Sequence, residues 1–227
     1  MARALKNVML IGGIYHPFDE YAHEIAKLGD ANGMETVATD SIDEAIELLP
    51  TADFLTLYAL RWRMLNHEKY IPHRPRWAYE TSSELVRVLE QHAASGRPVL
   101  AMHTASICFD DWPGYANLLG GRWVWDQSFH PEAGAVHVEA LGNHESTRGI
   151  EPFTVEDEVY HNLEMLPGST PLLRARHTGG AWQTVAWAYH AGPARVIYNA
   201  LGHDGASLRQ PGHRAFLSQA LRWLLAQ

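Results

Sequence analysis

Residues 98–115 read PVLAMHTASICFDDWPGY, and this stretch decides the fold. An unbroken apolar run from Val99 to Met102 ends directly at His103. A short apolar run of this kind is typical of a strand that is covered on both faces of a parallel sheet. A helical pattern over residues 82–94 precedes it and stops at Gly96. The stretch therefore predicts a helix-then-strand unit of an α/β protein.

The alternation of strands and helices extends back to the N-terminus. Strands are predicted at residues 7–11, 34–39, 53–60 and 98–102, and helices at residues 19–32, 41–49 and 82–94. Ser41 and Glu44 have the spacing of a capping box at the start of the second helix. Residues 61–77, which are polar, aromatic and twice broken by proline, predict an ordered loop. Strands joined through helices form a parallel sheet with right-handed crossovers.

The second half of the chain changes to short strands joined by turns. Six β-like runs are predicted, at residues 121–125, 135–141, 153–155, 171–176, 184–189 and 194–200. Turns at residues 179–180 and 191–193 indicate antiparallel pairing. An amphipathic helix over residues 212–226 closes the chain. Because neither a repeat nor a linker interrupts the pattern, we predict a single domain over residues 1–227.

Composition restricts the class of protein. The 227 residues carry a net charge of −8 without a run of basic residues, which argues against nucleic acid as a partner. No apolar run approaches the ~20 residues of a membrane span, and the N-terminus lacks a convincing signal peptide. A single cysteine favours a reducing cytoplasm.

No glycine-rich nucleotide motif occurs, so we expect no nucleotide cofactor. A homodimer would form through an exposed edge strand or the final helix.

Histidines and carboxylates follow several predicted strands, where an open α/β sheet places its ligands. Fourteen histidines also raise the expectation of a metal site or acid–base chemistry. The candidates lie in GGIYHPFDE (12–20), in the quoted stretch, in DQSFHPE (126–132) with VEDEVYHNL (155–163), and in VIYNALGHDG (196–205). In the last of these, His203 stands beside Asp204, a pattern that suits either metal ligation or an acid–base pair.

Ordinary structural roles compete with each chemical interpretation. His16 is also compatible with a surface residue ahead of a proline-led helix. Cys108 is best interpreted as a small buried hydrophobe inside a helix after the fourth strand, rather than as a nucleophile. Asp110 and Asp111 are expected to be exposed, in a turn or at a helix end.

The candidate stretches, in this order, resemble the ThuA-like family, named for trehalose utilisation, in the class I glutamine amidotransferase-like superfamily. The features that carry the resemblance are GGIYHPF, PVLAMHTA with DDWPGYANLLGG, SFHPE, NHESTRGI with FTVEDEVY, and TVAWAYHAGPARVIYNALGHD. The resemblance implies a flavodoxin-like three-layer α/β/α fold, with a mostly parallel sheet and antiparallel additions in the C-terminal half. It also implies a role in sugar catabolism.

His103 stands where the amidotransferases place their nucleophilic cysteine, so the resemblance does not extend to glutamine hydrolysis through a thioester. Some members of the family are linked to 3-keto-glycosides, which implies an intracellular hydrolase or lyase with a small sugar substrate. The residues assigned to catalysis are His103, His203, Asp204 and Glu158, and those assigned to substrate binding are His16, His130, Trp112 and Tyr160. A divalent zinc, manganese or iron ion is expected on His16, His103, His130 and His203.

Two alternatives stay open at this point. The first is a sugar-binding or regulatory module without catalysis, because a fold alone does not establish an activity. The second is a hydrolase that uses Cys108.

Overall fold

Five parallel strands form one half of the central sheet in the computed structural model, which describes residues 3–226. The nine strands of this sheet lie in the order β2-β1-β3-β4-β11-β10-β9-β6-β7. Their bounds are β1 Leu5–Gly12, β2 Met34–Thr39, β3 Phe54–Ala59, β4 Val99–Met102, β6 Gly134–Ala140, β7 Phe153–Asp157, β9 Thr170–His177, β10 Gln183–Ala191 and β11 Ala194–Asn199. With β11 in fifth place, the parallel half has the flavodoxin-like order 2-1-3-4-5. The predicted fold is confirmed.

Strand β4, which the quoted stretch predicts, lies in the middle of the sheet between β3 and β11. Every residue of β3 and β4 is buried. The two strands are therefore covered on both faces, as their continuous apolar runs predict.

Residues 3–226 form seven helices, and right-handed crossovers place α1 on the face of the sheet opposite to α2 and α4. Their bounds are α1 Phe18–Asp30, α2 Ile42–Leu48, α3 Arg74–Trp77, α4 Ser83–Ala94, α5 Tyr115–Leu119, α6 Gly205–Arg209 and α7 Pro211–Leu225. Short 3₁₀ segments occupy residues 49–51, 68–73, 103–107 and 145–147. Helix α7 packs its apolar stripe against the rest of the chain, with Phe216, Leu217, Leu221 and Leu224 buried. Among residues 3–226, no helix is both long and apolar enough to cross a bilayer.

The capping box at α2 is confirmed in one direction only. The Ser41 hydroxyl accepts the Glu44 backbone N–H, at 3.2 Å. The Glu44 carboxylate instead accepts from the hydroxyl of Thr39, which in turn accepts the Ser41 N–H at 3.0 Å. In a complete capping box the Glu44 carboxylate would accept the Ser41 N–H directly. Here the hydroxyl of Thr39 lies between the two groups.

Three local predictions are wrong. The run at residues 121–125 is a two-residue strand, β5 (Gly121–Arg122), which pairs with β8 (Glu164–Met165) in a separate sheet. Residues 61–77 contain the 3₁₀ segment 68–73 and helix α3 rather than loop alone. Cys108 is extended and follows the 3₁₀ segment instead of lying within a helix.

Asp110 and Asp111 are partly buried rather than exposed, because each holds a neighbouring segment. Asp110 forms an ion pair with Arg63, at 3.3 Å. Asp111 accepts the backbone N–H of Thr81 at 3.0 Å and also the Thr81 hydroxyl. These contacts attach the segment after β4 to the segments that follow β3.

Candidate functional site

His103 occupies a sharp turn where β4 ends. Its φ is +42°, a left-handed conformation that a non-glycine residue rarely adopts, and its side chain is completely buried. The ring Nδ1 donates to the Ala200 carbonyl at 2.5 Å, which leaves the Nε2 lone pair directed at the neighbouring groups. The turn therefore presents an oriented imidazole where related folds place a nucleophile.

His16 is carried by a glycine turn after β1. Gly13 has φ +151°, and a Cβ there would lie 2.7 Å from the Cβ of Leu60, so this position requires glycine. The His16 Nδ1 donates to the Ile14 carbonyl at 2.9 Å. Burial, together with the neighbouring His103, lowers the pKa of His16 to about 3. His16 is therefore a neutral imidazole at physiological pH.

The two rings face each other through their acceptor nitrogens. The Nε2 atoms of His16 and His103 are 3.2 Å apart, and the proton of each ring is already used at Nδ1. Two lone pairs at this distance repel each other unless a proton or a cation lies between them. Burial opposes protonation of His16, so the pair is satisfied either by a cation or by a second proton on His103, which Glu158, 3.4 Å away, would stabilise.

Glu158, which follows β7, provides the carboxylate of the site. Its Oε2 is 3.4 Å from the His103 Nε2, and its Oε1 is 3.3 Å from the Nδ1 atoms of both His203 and His130. Burial acts to raise the pKa of Glu158, but contacts with His103 and His203 outweigh it, so the pKa falls well below its usual range. Glu158 therefore remains an anion among the imidazoles.

Four side chains meet the spatial requirement for one metal ion. One ligand atom from each of His16, His103, Glu158 and His203 lies within 4.8 Å of all the others. The separations of 3.2 Å and 3.4 Å given above match the edge of about 3.3 Å expected for tetrahedral ligands at ~2.0–2.1 Å from zinc. Among the described residues, the Glu158 Oε2 and the His203 Nδ1 are buried without a hydrogen-bond partner. These orphaned atoms fit a cation, and we call the four residues the HHEH cluster.

His130 was expected among the metal ligands, but it lies beside the HHEH cluster and Glu158 takes the fourth place. Its Nδ1 is 3.0 Å from the Pro131 carbonyl, and its side chain is 40% exposed. His130 is therefore an imidazole at the rim, near the ligands and accessible to a substrate.

Tyr160 lies against the same cluster. Its hydroxyl is 3.1 Å from the His103 Nε2, and its ring packs on His130 with 5.4 Å between centroids. Burial raises the pKa of Tyr160 strongly, so its phenol remains a proton donor at neutral pH.

Asp204 and Trp112, both expected at the site, have other positions. Asp204 caps α6, because its Oδ1 accepts the Ser207 N–H at 2.8 Å, and the carboxylate that approaches His203 is that of Glu158. Trp112 lines a neighbouring pocket of about 210 Å³ with Trp123, and Trp123 packs on Tyr160 with 5.2 Å between centroids. Adjacency to His203 therefore does not bring Asp204 into the HHEH cluster.

Asp157 lies in a candidate stretch of the sequence, residues 155–163, but the sequence interpretation assigned it no role. It is completely buried, and its carboxylate accepts the backbone N–H groups of Glu158, Gly202 and His203 at 2.8, 2.7 and 3.1 Å. The Ser207 hydroxyl also donates to it. Asp157 therefore attaches the segment that carries Glu158 to the segment that carries His203.

Cys108 is expected to be unreactive in the folded protein. It is buried, its thiol contacts the Ala59 carbonyl at 3.0 Å, and burial raises its pKa to about 12. Since the thiolate is the reactive species, an aromatic disulfide reagent should modify the native protein about 100-fold or more slowly than the same chain in guanidinium chloride. Rapid modification with loss of function would support the Cys108 hydrolase instead.

The fold and the site together define the class of protein to which the chain belongs. The chain is an α/β protein with a flavodoxin-like parallel half and a histidine–carboxylate cluster at the carboxyl ends of its strands. The family model described as trehalose utilisation matches residues 12–224, and the chain belongs to this ThuA family. This membership places it in sugar metabolism. No curated protein matches the chain by sequence.

Solved structures share the fold at low sequence identity. A ThuA-like protein from Parabacteroides merdae is 13% identical with a TM-score of 0.75, over 97% of this chain and 89% of that one. A ThuA-like protein from Bacteroides uniformis is 15% identical with a TM-score of 0.74, over 100% and 93%. A β-galactosidase from Bacillus circulans is 15% identical with a TM-score of 0.56, over 98% of this chain but only 30% of that one. The same fold thus also occurs as part of a larger glycosidase.

Proposed function

We propose that the chain is a cytoplasmic sugar-catabolic enzyme that acts on a glycoside or 3-keto-glycoside, with a divalent ion held by the HHEH cluster. The observation that carries this proposal is the pair of Nε2 atoms from half-buried His16 and buried His103, 3.2 Å apart, beside a carboxylate oxygen without a partner. Histidine-rich ligation favours zinc, whereas the single carboxylate also suits manganese or iron. The family's place in sugar metabolism supplies the substrate class.

A ketone in the substrate makes elimination chemically accessible. The carbonyl at C3 acidifies the C2–H bond, so a base can remove this proton while the C1–O bond to the leaving group breaks. The bonding electrons of C1–O leave with the oxygen, which takes a proton from an acid. Water then adds at C1 and a proton returns to C2, which completes a net hydrolysis without an external oxidant.

The chain supplies groups for each requirement. His130 can serve as the base, because its Nδ1 faces the Pro131 carbonyl and its Nε2 remains available at the exposed rim. Tyr160 can donate a hydrogen bond from its phenol to a substrate oxygen at the cluster, and the proton that His130 takes from C2 can pass to the leaving oxygen. A divalent ion on the cluster would supply a Lewis acid for the negative charge that develops on the carbonyl oxygen.

Turnover of 3-keto-trehalose by the metal-supplemented protein tests the proposal. We expect product release by the wild type, and a rate about 100-fold lower for His130→Ala with unchanged metal content. His137→Ala is the matched control, since His137 is exposed on β6, outside the cluster. Tight binding of the keto-sugar without any product would contradict the enzyme and favour the sugar-binding module.

A further inference from the structure

A cleft of about 790 Å³ opens beside the HHEH cluster, at the carboxyl ends of β1 and β2. His16 lines the cleft and is also a member of the cluster, so this one side chain stands between the two. The volume lies within the range of about 300–1,000 Å³ that is usual for small-molecule sites. A ligand that reaches past His16 would occupy both the cluster and this cleft.

Asp40 is the polar side chain best placed to recognise that ligand. It follows β2 directly, its side chain is 53% exposed, and its nearest cationic partner, Arg76, is 3.7 Å away. The end of the second strand is where dinucleotide-binding α/β folds place the carboxylate that binds a ribose hydroxyl. Asp40 is thus free to accept hydrogen bonds from neighbouring hydroxyl groups.

Arg61 fixes the position of the Asp40 backbone at the edge of the cleft. A buried guanidinium, Arg61, donates to the Asp40 backbone carbonyl and lies over the Trp77 ring, 4.3 Å from its centroid. Arg61 is only 7% exposed, and its Nε has no hydrogen-bond partner among residues 3–226. Its Nη2 is 3.3 Å from the position of a Cβ on Gly12, which lines the cleft. A charged side chain with unused donor capacity therefore lies directly behind the cleft.

The charge of the cleft excludes a phosphate group as the preferred ligand. Asp19 and Glu20 occupy the first turn of α1, and Pro17, at its N-cap, has no N–H to offer. A helix start of this composition repels an anion instead of binding one. A polyhydroxylated neutral ligand suits the cleft, because carboxylates and a guanidinium pair well with hydroxyl groups, and the family's link to sugars favours it over a cationic ligand.

We propose that this cleft binds the unoxidised sugar ring of a disaccharide substrate, with Asp40 as the residue that selects it. The proposal rests on the proposed function for its substrate class and adds the position and chemistry of the second ring. Because the second ring carries no ketone, unmodified disaccharides are sufficient probes.

Calorimetric titration of the full chain, loaded with metal, tests this assignment by binding alone. The probes are α,α-trehalose, maltose and cellobiose. We expect at least one of them to bind the wild type, and Asp40→Ala to weaken that affinity about tenfold or more through the lost charged hydrogen bonds. Asp40→Asn should lose less affinity, because its amide oxygen can still accept a hydrogen bond from the sugar.

Asp43→Ala is the matched control, since Asp43 is an exposed carboxylate on α2 outside the cleft. Equal affinity of Asp40→Ala and the wild type would overturn the assignment, and so would failure of all three disaccharides to bind. Turnover is not part of this readout. A protein that binds through Asp40 but catalyses nothing would support the cleft and contradict only the proposed enzyme.

Discussion

Replacing His103 by alanine is expected to weaken divalent-ion binding by about 100-fold or more. The residue contributes an oriented Nε2 at the centre of the HHEH cluster, 3.2 Å from His16 and 3.4 Å from Glu158. Loss of an outer partner of a metal ligand already costs 10–100-fold in affinity, so loss of a ligand should cost at least as much. Titration with zinc and manganese against a competing chelator measures the change.

The thermal midpoint gives an independent readout of the same loss. An ion present at about 100 times its dissociation constant stabilises the folded state by roughly 2.7 kcal/mol, so the wild type should melt at a higher temperature when the ion is added. His103→Ala, with an affinity about 100-fold lower, should keep at most about 0.4 kcal/mol of this stabilisation, and Glu158→Gln, which keeps the side-chain volume, should show a reduced shift. His23→Ala, on the exposed side of α1, is the control. An undiminished shift in His103→Ala would contradict its role as a ligand.

Replacing Asp157 by alanine is expected to cause a large loss of stability, about 3–5 kcal/mol in the free energy of unfolding. Three backbone N–H groups and the Ser207 hydroxyl would lose their acceptor in the protein interior. Each buried donor left without a partner costs about 1–3 kcal/mol, partly offset by local relaxation. Urea unfolding followed by circular dichroism measures the difference.

Glu156→Ala provides the comparison on the same strand. Glu156 is exposed on β7, one residue from Asp157, so its removal should change stability by less than about 0.5 kcal/mol. An Asp157→Ala protein within 1 kcal/mol of the wild type would show that the two site segments are held by other contacts.

The sequence predicts the parallel half of the fold well because its signals there are local. Strand β2 has the predicted bounds, and α4, predicted over residues 82–94, spans Ser83–Ala94. The strand order is not local information, since it depends on which apolar faces pack together across the chain. The resemblance to a known family supplied that order. Likewise, Trp123, which the local pattern assigns to a strand, lies beyond the end of β5 and packs on His130, a contact that a local pattern does not contain.

The sequence predicts which segments form the site. It predicts less well which of their side chains belong to the HHEH cluster. The rule that ligands lie beyond the carboxyl ends of strands selects His16, His103 and His203. Glu158 and His130 both lie in the selected segments, but only the packing of those segments determines which one faces the other histidines. Asp157 could have been found, because strand alternation places it on the same face as Val155, which is buried.

Anomalous diffraction from crystals of untagged protein, collected on both sides of the absorption edge of the metal present, tests the central claim most directly. We expect one strong peak enclosed by the His16 and His103 Nε2 atoms, the Glu158 carboxylate and the His203 ring. Absence of a peak there after soaking with zinc and manganese, or a peak only elsewhere on the chain, would contradict the metal site and the chemistry proposed from it.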